Sequence, residues 1–445
     1  MAAAKFADLE KYVYWLLLLT VTIIPLQQDV TAALVAVTGT FGLAVAFLRR
    51  HEPRAQVLAR PVQILLWLLL LLTYWSLHNS ANTFLSTFNF LYVVGQYTIL
   101  IWLLLHYGAA QPQSDGSVFA WTNWRSWPRP LQLLSGFLLM SFFVTGYGIV
   151  QHFTGVIPTE AWVDTAAFPE LQTRVISTLV NPNILGGYLV LVISLMTGLF
   201  STSGAGRCKL VLGAGILLSC LCLLYTYSRG NWVALAAAGI FFCLCFCRRA
   251  LVPLLGFGIV GIWLARGVVW HRLISIFGTE DTSVALRFAY LESTWFIIRE
   301  HPWGVGWYGY QFIYPEYDFY LNNPAVIMYH CHNFLLNITV ELGWQGLAVF
   351  LLFWGCVIWQ AVVLARHGRT NWLRGFGRGY LMAVVGILVG GLTDHVYFNM
   401  QMGLSFWFLA ILLLLCSEFN KNSTKFLTAQ EDCDLALQKK PGKLQ

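Results

Sequence analysis

Three arginines and one histidine are the residues of this sequence best placed to do chemistry. Tyr227-Ser228-Arg229-Gly230-Asn231-Trp232 is a tight turn between two apolar stretches. Ser228 is a helix-capping type. Free N–H groups and the positive dipole end of the following helix form an anion site there, and Arg229 adds a fixed charge. The competing reading is snorkelling of Arg229 to lipid headgroups. No acidic partner stands close in sequence, and an unpaired arginine at this depth is costly unless it lines a wet cavity, which favours a site. Arg287 follows Asp281-Thr282-Ser283, a helix-start signal. A helix over 284–300 puts Arg287, Leu291 and Trp295 on one face. His332-Asn333 stands at another helix start, and imidazole is the usual general base near neutral pH. His330 is either a helper or incidental. Arg174 precedes Asn181-Pro182-Asn183, where Asn181 reads as an N-cap and Pro182 as the first helical residue. Capping explains that motif without a ligand, but it does not explain Arg174. Glu341 is the nearest acid able to pair with one of these arginines.

The elements that must hold these residues are apolar helices. The chain has 445 residues, 58% hydrophobic and only 11% charged, against about 25% charged for a soluble protein. At ~20 residues per span, the apolar stretches predict an all-α polytopic membrane protein of about 12 transmembrane helices. They fall at roughly 12–27, 31–48, 61–78, 84–106, 131–153, 183–200, 209–227, 230–247, 250–267, 343–365, 379–396 and 401–417. No clean small-residue cleavage site follows the first stretch, so it reads as a retained span. The predicted organisation is nine helices over 1–266, a long outer loop over 267–332, three helices over 333–417 and a disordered polar tail over 418–445.

Charge sets the orientation. With both termini inside, 21 of the 27 Lys and Arg residues face the cytoplasm, as the positive-inside rule requires. Six are left on the outer side: Arg174, Arg229, Arg266, Arg272, Arg287 and Arg299. The net charge of +7 is therefore membrane topology and not a nucleic-acid footprint. Of the ten cysteines only Cys331 lies outside, so no outer disulfide forms within one chain. Cys243, Cys245 and Cys247 scatter around a helix and do not gather as metal ligands.

The outer loop 267–332 carries a dense run of Trp and Tyr, among them Tyr308, Tyr310, Tyr314, Tyr317 and Tyr320. A loop this long is usually functional. Its aromatics read either as an interfacial belt or as a stacking surface for sugar rings. The first four spans hold almost no ionisable groups and read as scaffold and lipid contact. Residues 107–130 read as a polar cytoplasmic linker, and 154–182 as an outer segment with Glu160, Trp162, Asp164 and Glu170. Gly386 and Gly390 form a small-xxx-small helix contact, and Asp394-His395, at the outer end of that span, is a candidate to touch the site.

Several motifs together resemble the O-antigen ligase superfamily of polytopic membrane proteins. They are Arg174 with Asn181-Pro182-Asn183, Tyr227-Ser228-Arg229-Gly230-x-Trp232, Arg287 with Trp295 and His301-Pro302-x-Gly304-x-Gly306, and His332-Asn333 with Glu341-x-Gly343-x-x-Gly346. Their order around one long outer loop, over about 160–420, carries the resemblance. It implies a GT-C-like membrane enzyme that moves a glycan from undecaprenyl diphosphate to an acceptor hydroxyl, on lipid A–core or another molecule. By the same resemblance Arg229 and Arg287 hold the diphosphate and His332 activates or orients the acceptor hydroxyl. Arg174, Asn333, Trp295, Tyr308 and Glu341 are expected as substrate contacts. A diphosphate leaving group needs positive charge where its own charge grows, and the arginine fork fits phosphate oxygens. No outer Asp-x-Asp cluster is present, so transfer without metal or other cofactor is expected. A sister group labelled inorganic-carbon transporters is similar along Ser275-Ile276-Phe277-Gly278 and Phe312 to Tyr317. A transporter places ionisable residues near the bilayer midplane, whereas here the polar residues gather at the outer face. A polymerase of surface polysaccharide is the nearer alternative.

Overall fold

The computed structural model describes residues 2–50, 58–109, 121–155, 173–204, 206–264, 270, 282–320 and 327–438. The described residues are helical and contain no strand. Helices α1 to α5 span Ala2–Ile23, Gln28–Leu48, Arg60–Ser76, Thr83–Gly108 and Arg129–Thr154. Helices α6 to α9 follow at Pro182–Thr202, Arg207–Tyr225, Arg229–Phe246 and Leu251–Leu264. Then come α10 at Thr282–Glu300, α11 at Phe334–His367, α12 at Asn371–Gly391 and α13 at Met400–Gln438.

Ten of these helices are long and apolar enough to cross a membrane, so the chain is a multi-pass membrane protein. The two remaining expected spans, 12–27 and 250–267, fall in α1 and in the 14-residue α9. Two helices start earlier than hydropathy suggests. Glu341 precedes the expected span 343–365 but lies inside α11, and Arg374 and Arg378 precede 379–396 but lie inside α12. The backbone of α13 stays helical to Gln438, past the membrane-length segment, where a disordered tail was expected. The linker residues 110–120, the acidic residues of 156–172, Arg266, Arg272 and the Ser275–Gly278 motif lie outside the described residues.

The centre of the bundle is α6, α12 and α13. Within their most apolar windows 78%, 67% and 83% of residues are buried, against 22% for peripheral α7. Helices α6 and α12 form the most extensive helix pair because small residues let their backbones touch. A Cβ on Gly198 would lie 2.2 Å from the Gly379 nitrogen, so only glycine fits. Gly386 packs on Val190 of α6, and Gly390 faces Ala234 of α8, the small-residue contact that the sequence suggests.

The loop after α10 docks on a break in α11. Gly343 takes φ 74° and interrupts the helix, freeing carbonyls that must find other donors. Val305 N–H donates to Val340 O at 2.8 Å and Gly306 N–H to Glu341 O at 3.0 Å. Trp307 then ties the loop to the first half of the bundle: its N–H donates to Ser76 Oγ at 3.0 Å and its indole to Asn89 Oδ1 at 2.8 Å. Beneath the loop Tyr290, Ile297, Tyr310, Tyr314 and Cys331 form a small core of their own. Two of the expected stacking tyrosines, Tyr310 and Tyr314, are thus packing residues. Tyr317 and Tyr320 donate to Glu300 and Glu292.

Candidate active site

The end of α5, the starts of α6, α8 and α11, and the end of α12 meet at one end of the bundle, and α10 lies across them. Backbone strain marks the place. Among the described residues, Ser177, Val180, Tyr227, Tyr308 and His332 take left-handed φ values between 49° and 61° without being glycine. Such conformations persist only where the surroundings impose them.

A pocket of about 120 Å³ opens there, lined by Arg174, Arg229 and Arg287, with Asn183, Ser228 and Asp394. The arginines come from three separate segments. Arg174 sits in the irregular run before α6, Arg229 opens α8, and Arg287 lies on α10. Arg174 is fixed from two sides: its Nε donates to Thr226 O and its Nη2 to Asn183 Oδ1, each at 2.9 Å. Ser228 precedes α8 but does not cap it with its side chain. Its hydroxyl donates instead to Asn183 Oδ1 at 2.9 Å.

Asn183 is the hub that sequence reasoning missed. Its Oδ1 accepts from Arg174 and Ser228, and its Nδ2 donates to Asp394 Oδ2 at 3.0 Å. A cation on one side and a carboxylate on the other fix the amide orientation. The signal was available: Asn181 already caps α6 by accepting from Asn183 N and Ile184 N, so a second asparagine at Asn183 had no capping role to fill.

Asp394 connects the pocket to the imidazole. His332 Nδ1 lies 3.1 Å from Asp394 Oδ1. A carboxylate only accepts, so His332 Nδ1 carries the proton and Nε2 keeps its lone pair. Tyr290 stacks beside the His332 ring, centroids 5.4 Å apart, so α10 delivers both Arg287 and the wall behind the imidazole. Burial by itself would raise the Asp394 carboxyl. The His332 hydrogen bond, with the Arg287 charge nearby, outweighs it and holds Asp394 below the usual carboxylate range. Burial pushes His330 well below the usual imidazole value, and it lowers His395 to about 3. The site is therefore one anion beside two neutral imidazoles, under three guanidinium groups.

The other expected contacts lie elsewhere. Asn333 caps α11, accepting from Leu336 N–H at 3.0 Å. Tyr308 and Glu341 line a second, larger cavity. Trp295 is 48% exposed on α10 and lines neither. His330, His332 and Asp394 bring three potential metal-ligand atoms within 4.8 Å of one another. Two of the candidate atoms have partners: His330 Nδ1 accepts from His332 N–H at 3.2 Å, and His332 Nδ1 is held by Asp394. Ligating a cation through these Nδ1 atoms would break both contacts, whereas ligation through Nε2 would not.

Residues 214–351 match a family model described as O-antigen ligase. The matched stretch holds Arg229, Arg287 and His332, while Arg174, Asn183 and Asp394 lie outside it and reach the site through the fold. No curated protein matches the chain. The matched stretch, about a third of the chain, is similar to an O-antigen ligase domain and agrees with the resemblance read from the motifs.

Proposed function

We propose that the protein is a metal-independent membrane glycosyltransferase. It moves a glycan from undecaprenyl diphosphate to a hydroxyl, that of lipid A–core in the ligase form, on the outer face of the cytoplasmic membrane. One observation carries this reading: Arg174, Arg229 and Arg287 converge on a pocket that also holds Asp394, the partner of His332. The likeness of residues 214–351 to the O-antigen ligase model supports ligase or polymerase chemistry.

In this mechanism the acceptor oxygen attacks the anomeric carbon of the donor glycan. The bond from that carbon to the diphosphate oxygen breaks, and undecaprenyl diphosphate leaves with the electron pair. Arg229 and Arg287, with Arg174 behind them, neutralise the charge growing on the leaving group. His332 Nε2 takes the acceptor proton, and Asp394 stabilises the resulting imidazolium, the logic of an oriented base.

The test is complementation of a deletion strain with wild type, His332→Ala and Arg287→Ala, read on a gel of lipopolysaccharide and lipid-linked glycans. Uncapped core with long lipid-linked polymer is the expected result for a ligase. Accumulated single repeat units would move the assignment to the polymerase. Normal attachment by both variants, stably inserted, would refute the proposal.

A further inference from the structure

A second cavity, of about 1030 Å³, lies beside the arginine pocket and dwarfs its 120 Å³. It runs nearly the height of the bundle, from Glu10 and Arg49 at one end to Trp307, Tyr308 and Tyr329 under the aromatic loop at the other. Its middle is apolar, walled by α3, α4 and α13 through residues such as Leu66, Trp67, Ile101 and Phe406. The wall of α4 is widened by a π-turn over Phe90–Val94, a feature that often marks functional sites in helices. The four spans that read as bare scaffold thus supply much of a cavity.

Polar groups line both ends: Glu10, Arg49, Gln63 and His106 at one, and Asn337, Glu341, His395 and Asn399 at the site end. His395 is 7% exposed, and its Nδ1 finds no hydrogen-bond partner among the described residues. A buried polar nitrogen without a partner is costly, and a ligand in the cavity it lines would supply one. The two cavities share a wall, Tyr397. Asp394 lines the arginine pocket and its neighbour His395 lines the large cavity. His395 N–H donates at 2.9 Å to Asp394 Oδ1, the oxygen that also holds His332.

The geometry points to the large cavity as the site of the acceptor lipid: its hydrocarbon chains lie between α3, α4 and α13, and a head-group hydroxyl or amide hydrogen-bonds His395. This inference rests on the transferase reading above and adds where the second substrate sits. A transfer between two membrane-anchored molecules needs two lipid sites. The arginine pocket, floored by Val190, Leu191, Ala383 and Ile387, takes the diphosphate end of the donor, and the large cavity is left for the second substrate. Tyr308 and Tyr329, stacked at 24° with centroids 6.5 Å apart, close its top where a sugar head group would sit.

The experiment is native mass spectrometry of the purified full-length protein in mild detergent. The probes are a multi-acylated glucosamine disaccharide, a polyprenyl diphosphate and inorganic pyrophosphate. Leu66→Trp and Thr98→Trp fill the cavity, and His395→Phe removes the free nitrogen while keeping a ring. The inference expects each tryptophan variant to lose at least tenfold in retention of the acylated disaccharide, with pyrophosphate binding and thermal unfolding unchanged. His395→Phe should weaken the disaccharide several-fold and leave the polyprenyl diphosphate alone. Undiminished disaccharide binding in both filled variants overturns it. So does loss of the polyprenyl diphosphate in their place, which would make the cavity the donor's. Failure of pyrophosphate to bind wild type is a separate result, and it counts against the transferase reading itself.

Discussion

The two cavities share a wall and differ in size and polarity. The arginine pocket is small, polar and assembled from residues far apart in the chain: Asn183 and Asp394 are separated by 211 positions, and His332 and Asp394 by 62. The large cavity is long and mostly apolar, and it too draws on distant segments, from Glu10 to Trp407. Positioned charge acts on a reacting centre only if it is held without reorganising, and the hydrogen bonds around Asn183 hold it. A lipid site needs volume and apolar walls, with little positional accuracy. Changes in the first region should therefore alter rate, and changes in the second should alter which lipid is bound.

The largest expected effect is at the bridge between base and pocket. Asp394→Asn replaces an acceptor-only carboxylate with an amide that can present N–H to His332 and reverse its tautomer. Transfer should fall by roughly 10²–10⁴-fold, the range for losing a general base, with acceptor binding unchanged. A loss of acceptor binding with an unchanged rate would erase the distinction between the regions. Next is Asn183→Ala, which leaves Arg174, Ser228 and Asp394 without their common partner. Hydrogen bonds to charged groups contribute about 1.5–3 kcal/mol each, so a rate loss of at least about tenfold is expected, measured as initial transfer velocity. Asn333→Ala serves as the contrast. It removes a helix cap worth about 1 kcal/mol, and should lower the unfolding temperature by a few degrees without that rate loss.

The smallest effect is a pH dependence of stability. His395 is held down to about 3 by burial, against about 6.5 when unfolded. Its neutral form is the folded one, so its contribution is fully present above about pH 6.5 and is lost as pH falls from there toward 3. Unfolding temperatures measured between pH 7.5 and 5 should fall for wild type and fall less steeply for His395→Phe. Equal slopes would show that this imidazole is not kept neutral by its surroundings.

Hydropathy made the bundle legible, because a lipid-facing helix must be apolar along its length. It failed at two starts for a physical reason: Glu341 faces a cavity and Arg374 and Arg378 sit at the membrane edge, so polar residues there are helical and not loop. Arg229, Arg287 and His332 were legible as charge and imidazole on a face where topology disfavours them. Asn183 was not. Its role depends on partners that only the fold supplies, and a helix start is an ordinary local reading for it, whereas Asp394-His395 stood out as a pair able to touch the site. Motifs can also mislead about role: Gly304, Gly306 and Gly343 serve the docking of a loop on a broken helix, with no ligand involved.

The central claim is that the arginine pocket grips a diphosphate. It is tested most directly by calorimetric binding of inorganic pyrophosphate to the purified protein, wild type against Arg287→Ala, with His332→Ala as the control. The account expects Arg287→Ala to weaken binding by about 10–100-fold, the equivalent of one charge-assisted contact, and His332→Ala to change it little. Equal affinity in wild type and Arg287→Ala would contradict it.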